Sequence, residues 1–194
     1  MDTVAGEGGL IPRLFLVAPE GSANHLAACL KAACAAGDVA SLLLPPSLAR
    51  ELTPLAQELG VAVLALGVAQ NADGVHVEAT AEAVTAARQS VGERGIVGAY
   101  AGTSRHFAME AAEAGADYVA FSQNGPAMGG EPIVKWWADF FEIPCVAFDP
   151  VEVAGLDTLL PQTPDFIRPP DAMWDGPEAA HRIVTGLMQR LKQT

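Results

Sequence analysis

The stretch EAGADYVAFS, at Glu113–Ser122, is the clearest indicator of the fold. Glu113 and Ala114 end a segment with helical spacing, and Gly115 is the kind of residue that stops a helix. Asp117–Ser122 then forms an apolar run with the length of a buried strand. A helix that ends at a glycine and leads directly into such a strand is typical of a β/α repeat, in which parallel strands alternate with helices.

The same alternation continues in both directions along the chain. It predicts strands at Leu14–Ala18, Val39–Leu44, Val61–Leu66, Asp73–Val77, Gly95–Tyr100, Asp117–Ser122, Pro144–Phe148 and Asp165–Arg168. It predicts helices at Ser22–Ala36, from Ser47 to Leu59, at Ala79–Val91, from Thr103 or Ser104 to Ala114, at Ile133–Phe141 and at Pro177–Leu191, with a short helical stretch in Val151–Leu160. Because parallel strands need right-handed crossovers, eight such units favour a compact (β/α)8 TIM barrel. An open doubly wound sheet is the alternative, but no G-x-G-x-x-G turn follows the first strand.

One connection departs from this regular pattern. Only six residues separate the third and fourth predicted strands, which is too few for the usual crossover helix. The 194 residues also fall short of the roughly 250 typical of this barrel. We therefore expect one barrel domain over residues 1–194, with a shortened or missing helix between strands three and four and a flexible N-terminal extension at residues 1–12.

Composition and charge exclude several classes of protein. The chain is 51% hydrophobic and 18% charged, which excludes wholesale disorder. Its formal net charge of −12 excludes non-specific binding to nucleic acid or to anionic membranes. Three cysteines without CxxC spacing, and four histidines without metal-ligand spacing, indicate reduced structural thiols and no zinc site. No signal peptide or membrane span is evident, so a cytoplasmic protein is expected.

Three strand segments together resemble the thiamine phosphate synthase family. They are ADGVHV at Ala72–Val77, GIVGAY at Gly95–Tyr100 and EAGADYVAFS at Glu113–Ser122. The opening LFLVA, the later IPCVAF and the final GPEAAHRIV match as well. The resemblance implies a barrel enzyme that joins an aminopyrimidine diphosphate to a thiazole phosphate, with Mg²⁺ and basic residues stabilising the diphosphate that leaves. A related branch of the family is a thiazole tautomerase, which needs a single acid–base group.

The resemblance also implies where the family's binding groups lie, and this sequence departs from several of them. A Gln-x-Arg-x-Lys pattern after the second strand is replaced by Leu43, Pro45 and Ser47. An Asn-Asp pair at the end of the third strand is replaced by Leu66 and Gly67. The basic residues and the first acidic metal ligand are therefore absent from the aligned positions.

The remaining departures fall on the loops that follow later strands. Ala81 replaces a second acidic ligand, with Glu78 and Glu82 nearby, and Tyr100 replaces a small hydroxyl residue. The loop at Gln123–Gly130 contains no Lys, Arg, Ser or Thr. Phe148-Asp149 replaces a Gly-Gly pair, and Arg168-Pro169-Pro170 replaces a serine. We therefore expect no Mg²⁺ cofactor held by the aligned residues. Loss of a single electrostatic donor in such a site costs about 10²–10³ in rate, so the transferase activity is expected to be weakened.

Two function classes follow. The first is the transferase of thiamine biosynthesis. The second is a catalytically inactive or repurposed homologue that binds a small heterocycle or phosphate, or acts through a protein partner. A new reaction at the same site is a third alternative, and no catalytic residue is assigned. The candidate ligand-binding residues are His76, Tyr100, Thr103, Ser122, Gln123, Asn124, Gly129, Gly130 and Arg168.

Each candidate also has a structural interpretation. His76 is either a barrel-interior histidine bonded to its neighbours or an acid–base group. Thr103 is either a helix cap or a phosphate contact, and Gly129-Gly130 is either a turn or an anion-binding nest. Arg168 either binds an anion or pairs with Asp149 or Asp171.

The segment Ile133–Phe141 contains an aromatic cluster. Residues four apart share a helix face, so Trp136 and Phe140 form one stripe and Trp137 and Phe141 form the next. One stripe packs on the barrel and the other is left exposed, which favours a protein interface. A homodimer is the expected assembly.

Overall fold

The structure is a computed structural model that describes residues 11–67, 71–123 and 130–193. Eight parallel strands close into a barrel in sequence order, which confirms the (β/α)8 prediction. The strands are β1 (Arg13–Val17), β2 (Val39–Leu44), β3 (Ala62–Leu66), β4 (Gly74–Glu78), β5 (Ile96–Gly102), β6 (Tyr118–Phe121), β7 (Cys145–Ala147) and β8 (Phe166–Ile167). The helices are α1 (Ala23–Ala36), α2 (Pro46–Glu58), α3 (Ala81–Val91), α4 (Arg105–Glu113), α5 (Ile133–Phe140), α6 (Leu156–Leu159) and α7 (Pro177–Leu191).

The connection from β3 to β4 is as short as the sequence predicts. β3 ends at Leu66 and β4 begins at Gly74, and the described part of this connection contains no helix. Gly67 and Asn71 both have positive φ angles, of 80° and 71°, which lets the chain reverse over a short distance. The connection therefore spans only seven residues between the two strands.

One local detail differs from the sequence prediction, and one alternative that the sequence left open is decided. The predicted start of the second helix at Ser47 is wrong by one residue: α2 begins at Pro46, with Pro45 as its N-cap. Proline suits the first turn because its missing N–H has no helical partner there. The Ser47 hydroxyl instead donates a hydrogen bond to the Glu20 carboxylate, at 2.6 Å. For α4, the cap is Ser104, whose hydroxyl accepts from the Phe107 N–H at 3.2 Å.

An aspartate directly precedes each even-numbered strand and binds the strand before it. Three of these carboxylates accept a hydrogen bond from a backbone N–H of the preceding strand. The pairs are Asp73 with Val63 at 2.7 Å, Asp117 with Val97 at 2.7 Å, and Asp165 with Cys145 at 2.8 Å. The fourth, Asp38, accepts two hydrogen bonds from the Arg13 guanidinium, at 2.7 and 2.9 Å. These four contacts join β1 to β2, β3 to β4, β5 to β6 and β7 to β8 at the amino end of the barrel.

The barrel interior contains one layer in which a glycine makes room for two large rings. His76, Gly98 and Tyr118 are register partners on β4, β5 and β6. The Tyr118 ring lies over Gly98, because a Cβ built on Gly98 would come 1.9 Å from Tyr118 Cζ. The Tyr118 hydroxyl thereby reaches His76 Nδ1, at 2.6 Å. Gly98 is therefore required by close packing and not by its backbone conformation.

The outer layer of the fold packs the helices against the strands. Cys29 and Cys145 are buried and Cys34 is half-buried, and all three thiols are free. Burial raises the pKa of Cys145 to about 12, so its thiol is protonated and unreactive at neutral pH.

Within the described ranges, no helix combines the length and the apolar content that crossing a membrane requires.

Replacement of Gly98 by alanine tests this packing. We expect Gly98→Ala to lower the free energy of unfolding by about 1–3 kcal/mol, because the new methyl group overlaps the Tyr118 ring. The matched control is Gly21→Ala, whose added Cβ would meet nothing nearer than Leu26 Cδ1 at 3.9 Å. Urea denaturation of both variants measures the difference, and an equally small effect for the two would contradict the close-packing argument.

Candidate functional site

The candidate site lies at the carboxyl ends of the strands, where (β/α)8 barrels place their chemistry. Phe148, directly after β7, is the central contact of this barrel mouth. Its ring is nearly parallel to the His76 imidazole, with an interplanar angle of 9° and 5.4 Å between centroids. It also packs against Tyr100 at 5.2 Å, and the Arg168 guanidinium carbon lies 5.5 Å from its centroid. One phenyl ring thus connects three of the residues that the sequence singled out.

His76 lies below this ring, inside the barrel, and is 5% exposed. Its Nδ1 shares a hydrogen bond with the Tyr118 hydroxyl, and its Nε2 is buried without a partner among the described residues. If the tyrosine donates, a single N–H on Nε2 is left without a partner. If the imidazole donates, both the tyrosine proton and the Nε2 lone pair are left without one. The first arrangement costs less, because each unpaired buried polar group is destabilising.

Burial also determines the charge of this histidine. It lowers the pKa of His76 to about 4, because the imidazolium would lose its hydration in the barrel interior. Burial raises the pKa of Tyr118 well above its ordinary value for the same reason. The pair is therefore neutral at pH 7. The sequence alternatives for His76 resolve geometrically: it is a barrel-interior histidine bonded to a neighbour, with one free nitrogen.

Arg168 follows β8 and pairs with Asp171, one of the two partners that the sequence suggested. Its Nη2 lies 2.6 Å from Asp171 Oδ1, and its Nη1 donates to the Phe148 carbonyl at 3.4 Å. The side chain is 17% exposed, and its Nε is buried without a partner in the described part of the chain. Arg168 therefore has a donor available for an anionic ligand.

Asp149 joins the ends of β6 and β7. Its carboxylate accepts hydrogen bonds from the Ser122 hydroxyl at 2.9 Å and from the Gln123 N–H at 2.7 Å. The Gln123 side chain returns a contact, since its Oε1 accepts from the Asp149 N–H at 2.8 Å. Ser122 and Gln123, predicted as ligand contacts, thus hold the loop after β7. This role was missed from the sequence, because it depends on which two strands are neighbours at the mouth.

The other predicted site residues are less tightly placed. Tyr100 packs on Phe148, and Thr103 is exposed beside the Ser104 cap of α4. Gly130 has a φ of 83° shortly before α5. Asn124 and Gly129 lie outside the described residues. The structure therefore brings His76, Tyr100 and Arg168 together around Phe148. Ser122 and Gln123 lie next to this group, where they bind Asp149.

The described residues at the mouth do not form a magnesium site of their own. Mg²⁺ prefers oxygen ligands in octahedral geometry. Among the described residues, no group of three or more His, Cys, Asp or Glu side chains gathers at a point. Leu66 and Gly67 at the end of β3 provide no side-chain oxygen, and Asp149 is engaged by Ser122 and Gln123. These residues do not fit a protein-held Mg²⁺, and no chemical step is derived through one.

The opposite end of the barrel contains an apolar cavity of about 280 Å³. Phe15, Leu64, Ile96, Val146 and other residues at the amino ends of the strands line it. Its charged rim residues are already paired: Arg13 with Asp38, and Asp117 with Arg88. In (β/α)8 enzymes this end serves stability, and the chemistry lies at the opposite end.

The lowered pKa of His76 predicts a pH dependence of stability. The pKa of His76 is 6.5 in the unfolded chain and about 4 in the folded chain. The contribution of this residue to the free energy of unfolding is therefore complete above pH 6.5 and is lost as the pH falls from 6.5 towards 4. The shift corresponds to about 3 kcal/mol. Urea denaturation of the wild type and of His76→Gln between pH 7 and 4 measures it. We expect a shallower pH slope for the variant, and equal slopes would contradict a neutral buried imidazole.

Comparison with known proteins identifies the family. The family model described as thiamine monophosphate synthase matches residues 14–160. A thiamine-phosphate synthase of Hyphomonas neptunium is 34% identical, over 92% of this chain and 95% of its own length. Another, of Rhodospirillum centenum, is 35% identical, over 90% of this chain and 98% of its own length.

A solved structure has the same fold. The thiamine phosphate pyrophosphorylase from Pyrococcus furiosus superimposes with a TM-score of 0.74. The alignment covers 95% of this chain and 97% of that one at 18% identity, so it supports the barrel and not a shared site. The match to the family model and the near full-length relatives carry the assignment: this chain belongs to the thiamine monophosphate synthase family.

Proposed function

We propose that the protein acts in thiamine biosynthesis, in the reaction that the names of its relatives indicate: the formation of thiamine phosphate from an aminopyrimidine diphosphate and a thiazole phosphate. The observation that carries this proposal is the match to thiamine-phosphate synthases over 90% or more of the chain, at 34–35% identity. The family model spans residues 14–160, which include β2 to β7.

The mouth offers groups suited to such ligands. Both substrates are flat heterocycles with anionic substituents. The Arg168 guanidinium, held by Asp171, is a cation at the end of a barrel strand. The barrel mouth is lined with aromatic rings, among them His76 beneath Phe148, and an aromatic ring is a surface on which a heterocycle can stack. In this proposal, the chain's own residues bind and orient the rings and the phosphate of the thiazole, and Arg168 stabilises negative charge.

The geometry favours a second candidate as well, a homologue that binds a heterocyclic phosphate without turning it over. The Phe148 ring lies where the resemblance implies a Gly-Gly backbone, and no acidic cluster forms among the described residues. A divergent site of this kind retains binding through stacking and Arg168. It lacks the concentration of charge that departure of diphosphate requires.

Three further properties are part of the proposal. A cytoplasmic location agrees with the class of the relatives. Small heterocyclic or phosphate ligands are the expected partners, and the net charge of −12 disfavours nucleic acid and membrane surfaces. A homodimer through α5 is supported by Phe140, which is 71% exposed on that helix, whereas Trp137 is buried against the barrel.

A turnover assay tests the function directly. Purified protein is mixed with the pyrimidine diphosphate and thiazole phosphate, with and without Mg²⁺, and thiamine phosphate is quantified. We expect product from the wild type and a 10- to 100-fold rise in the KM for thiazole phosphate in Arg168→Ala, since a charge-assisted hydrogen bond contributes about 1.5–3 kcal/mol.

The matched control is Arg13→Ala, which removes an arginine–aspartate pair at the opposite end of the barrel. This variant is expected to keep the wild-type KM. Binding of thiazole phosphate without any product would contradict the transferase and support the second candidate. Equal KM values for the two variants would remove Arg168 from the site.

A further inference from the structure

Phe148 occupies the barrel mouth through its side chain, while its backbone is fixed. The Phe148 N–H donates to the Phe121 carbonyl at 2.8 Å, and the Phe148 carbonyl accepts from Arg168 at 3.4 Å. The ring itself packs against His76, Tyr100, Phe15 and Arg168, and against the apolar cluster of the barrel interior. Because the backbone is fixed, any movement of the ring is a rotation about its side-chain bonds.

Two buried nitrogens next to this ring have no hydrogen-bond partner in the described part of the chain. They are His76 Nε2 and Arg168 Nε. Both residues contact Phe148, which offers them a hydrocarbon face instead of an acceptor. Buried donors are nearly always paired in folded proteins, so two unpaired donors around a single ring indicate a place built for a polar molecule.

We propose that Phe148 is a displaceable plug over a preformed binding site for a monocyclic heterocycle with an anionic substituent. The ring of the ligand takes the place of the phenyl ring on the His76 imidazole, and a substituent of that ring, with an acceptor atom in the plane of the imidazole, pairs with Nε2. The anionic group pairs with Arg168 Nε. This inference rests on the proposed function only in placing the ligand at the barrel mouth.

The dimensions of the plug set the specificity. The space released by the phenyl ring is that of a single six-membered ring, bounded by Phe15 and Tyr118 below and by Tyr100 at the side. A five- or six-membered heterocycle fits this space, whereas a purine is too large. His76 is neutral, so it recognises a ring by stacking and by one hydrogen bond and adds no charge of its own. Phe148 is therefore a specificity-determining residue.

Displacement of the plug has a thermodynamic consequence. A ligand that must first move Phe148 binds more weakly than one that finds the site open, because part of its binding free energy is used to shift the side chain. Truncation of the ring should therefore increase affinity. A purely structural phenylalanine would instead give unchanged or weaker binding when truncated.

The test is calorimetric titration of thiazole phosphate into the wild type, Phe148→Ala and the control Phe140→Ala. We expect at least tenfold tighter binding to Phe148→Ala and no change for Phe140→Ala, which alters an exposed aromatic residue on another face. Addition of Arg168→Ala to Phe148→Ala should reverse the gain. Titration of inorganic phosphate alone should show a smaller gain, since it lacks the ring.

Equal or weaker binding to Phe148→Ala would overturn the proposal, as would a gain that survives the loss of Arg168. Circular dichroism and thermal melting verify that each variant is folded. If Phe148→Ala does not fold, Phe148→Leu replaces it, because leucine keeps apolar volume but not the flat face; a gain in affinity again supports the proposal and no gain overturns it.

The outcome is separable from that of the proposed function. Wild-type turnover with no gain in affinity in Phe148→Ala would support the transferase function and contradict the plug. A gain in affinity with no turnover in any variant would support the plug and contradict the transferase function.

Discussion

The structure depends on the aspartates that precede the even-numbered strands. Each binds the strand before it, so the barrel is assembled from four strand pairs joined at the amino end. The contact of Asp117 with the Val97 N–H has the clearest consequence. It aligns β6 with β5 so that the next residues, Tyr118 and Gly98, lie side by side. The Tyr118 ring then packs over Gly98, and its hydroxyl reaches His76. These two rings form the floor of the barrel mouth.

The molecule has two parts: the regular β/α scaffold, and the barrel mouth above this floor. The strands and the aspartates that precede the even-numbered ones repeat along the chain. The side chains of Phe148 and Arg168, which directly follow β7 and β8, shape the mouth. In a barrel of this kind, stability comes from strand pairing and helix packing, whereas chemistry comes from the loops.

These two parts also differ in how far the sequence predicts them. Apolar runs and glycine turns predicted all eight strands and the short connection from Leu66 to Gly74, because these features are local. The contact between His76 and Tyr118 was not predictable in the same way, since it joins residues 42 positions apart across a third strand. The choice of Asp171 over Asp149 by Arg168 depends equally on loop geometry. The signal that could have found the interior layer is Gly98, a glycine within an apolar strand.

His76 lies where the scaffold and the mouth meet. Nitrogen NMR of the labelled imidazole measures its protonation state most directly. The account predicts a neutral ring at pH 7 with its proton on Nε2, and a change in the Nε2 resonance when thiazole phosphate is added. A charged imidazolium, a proton on Nδ1, or a resonance that does not respond to the ligand would contradict it.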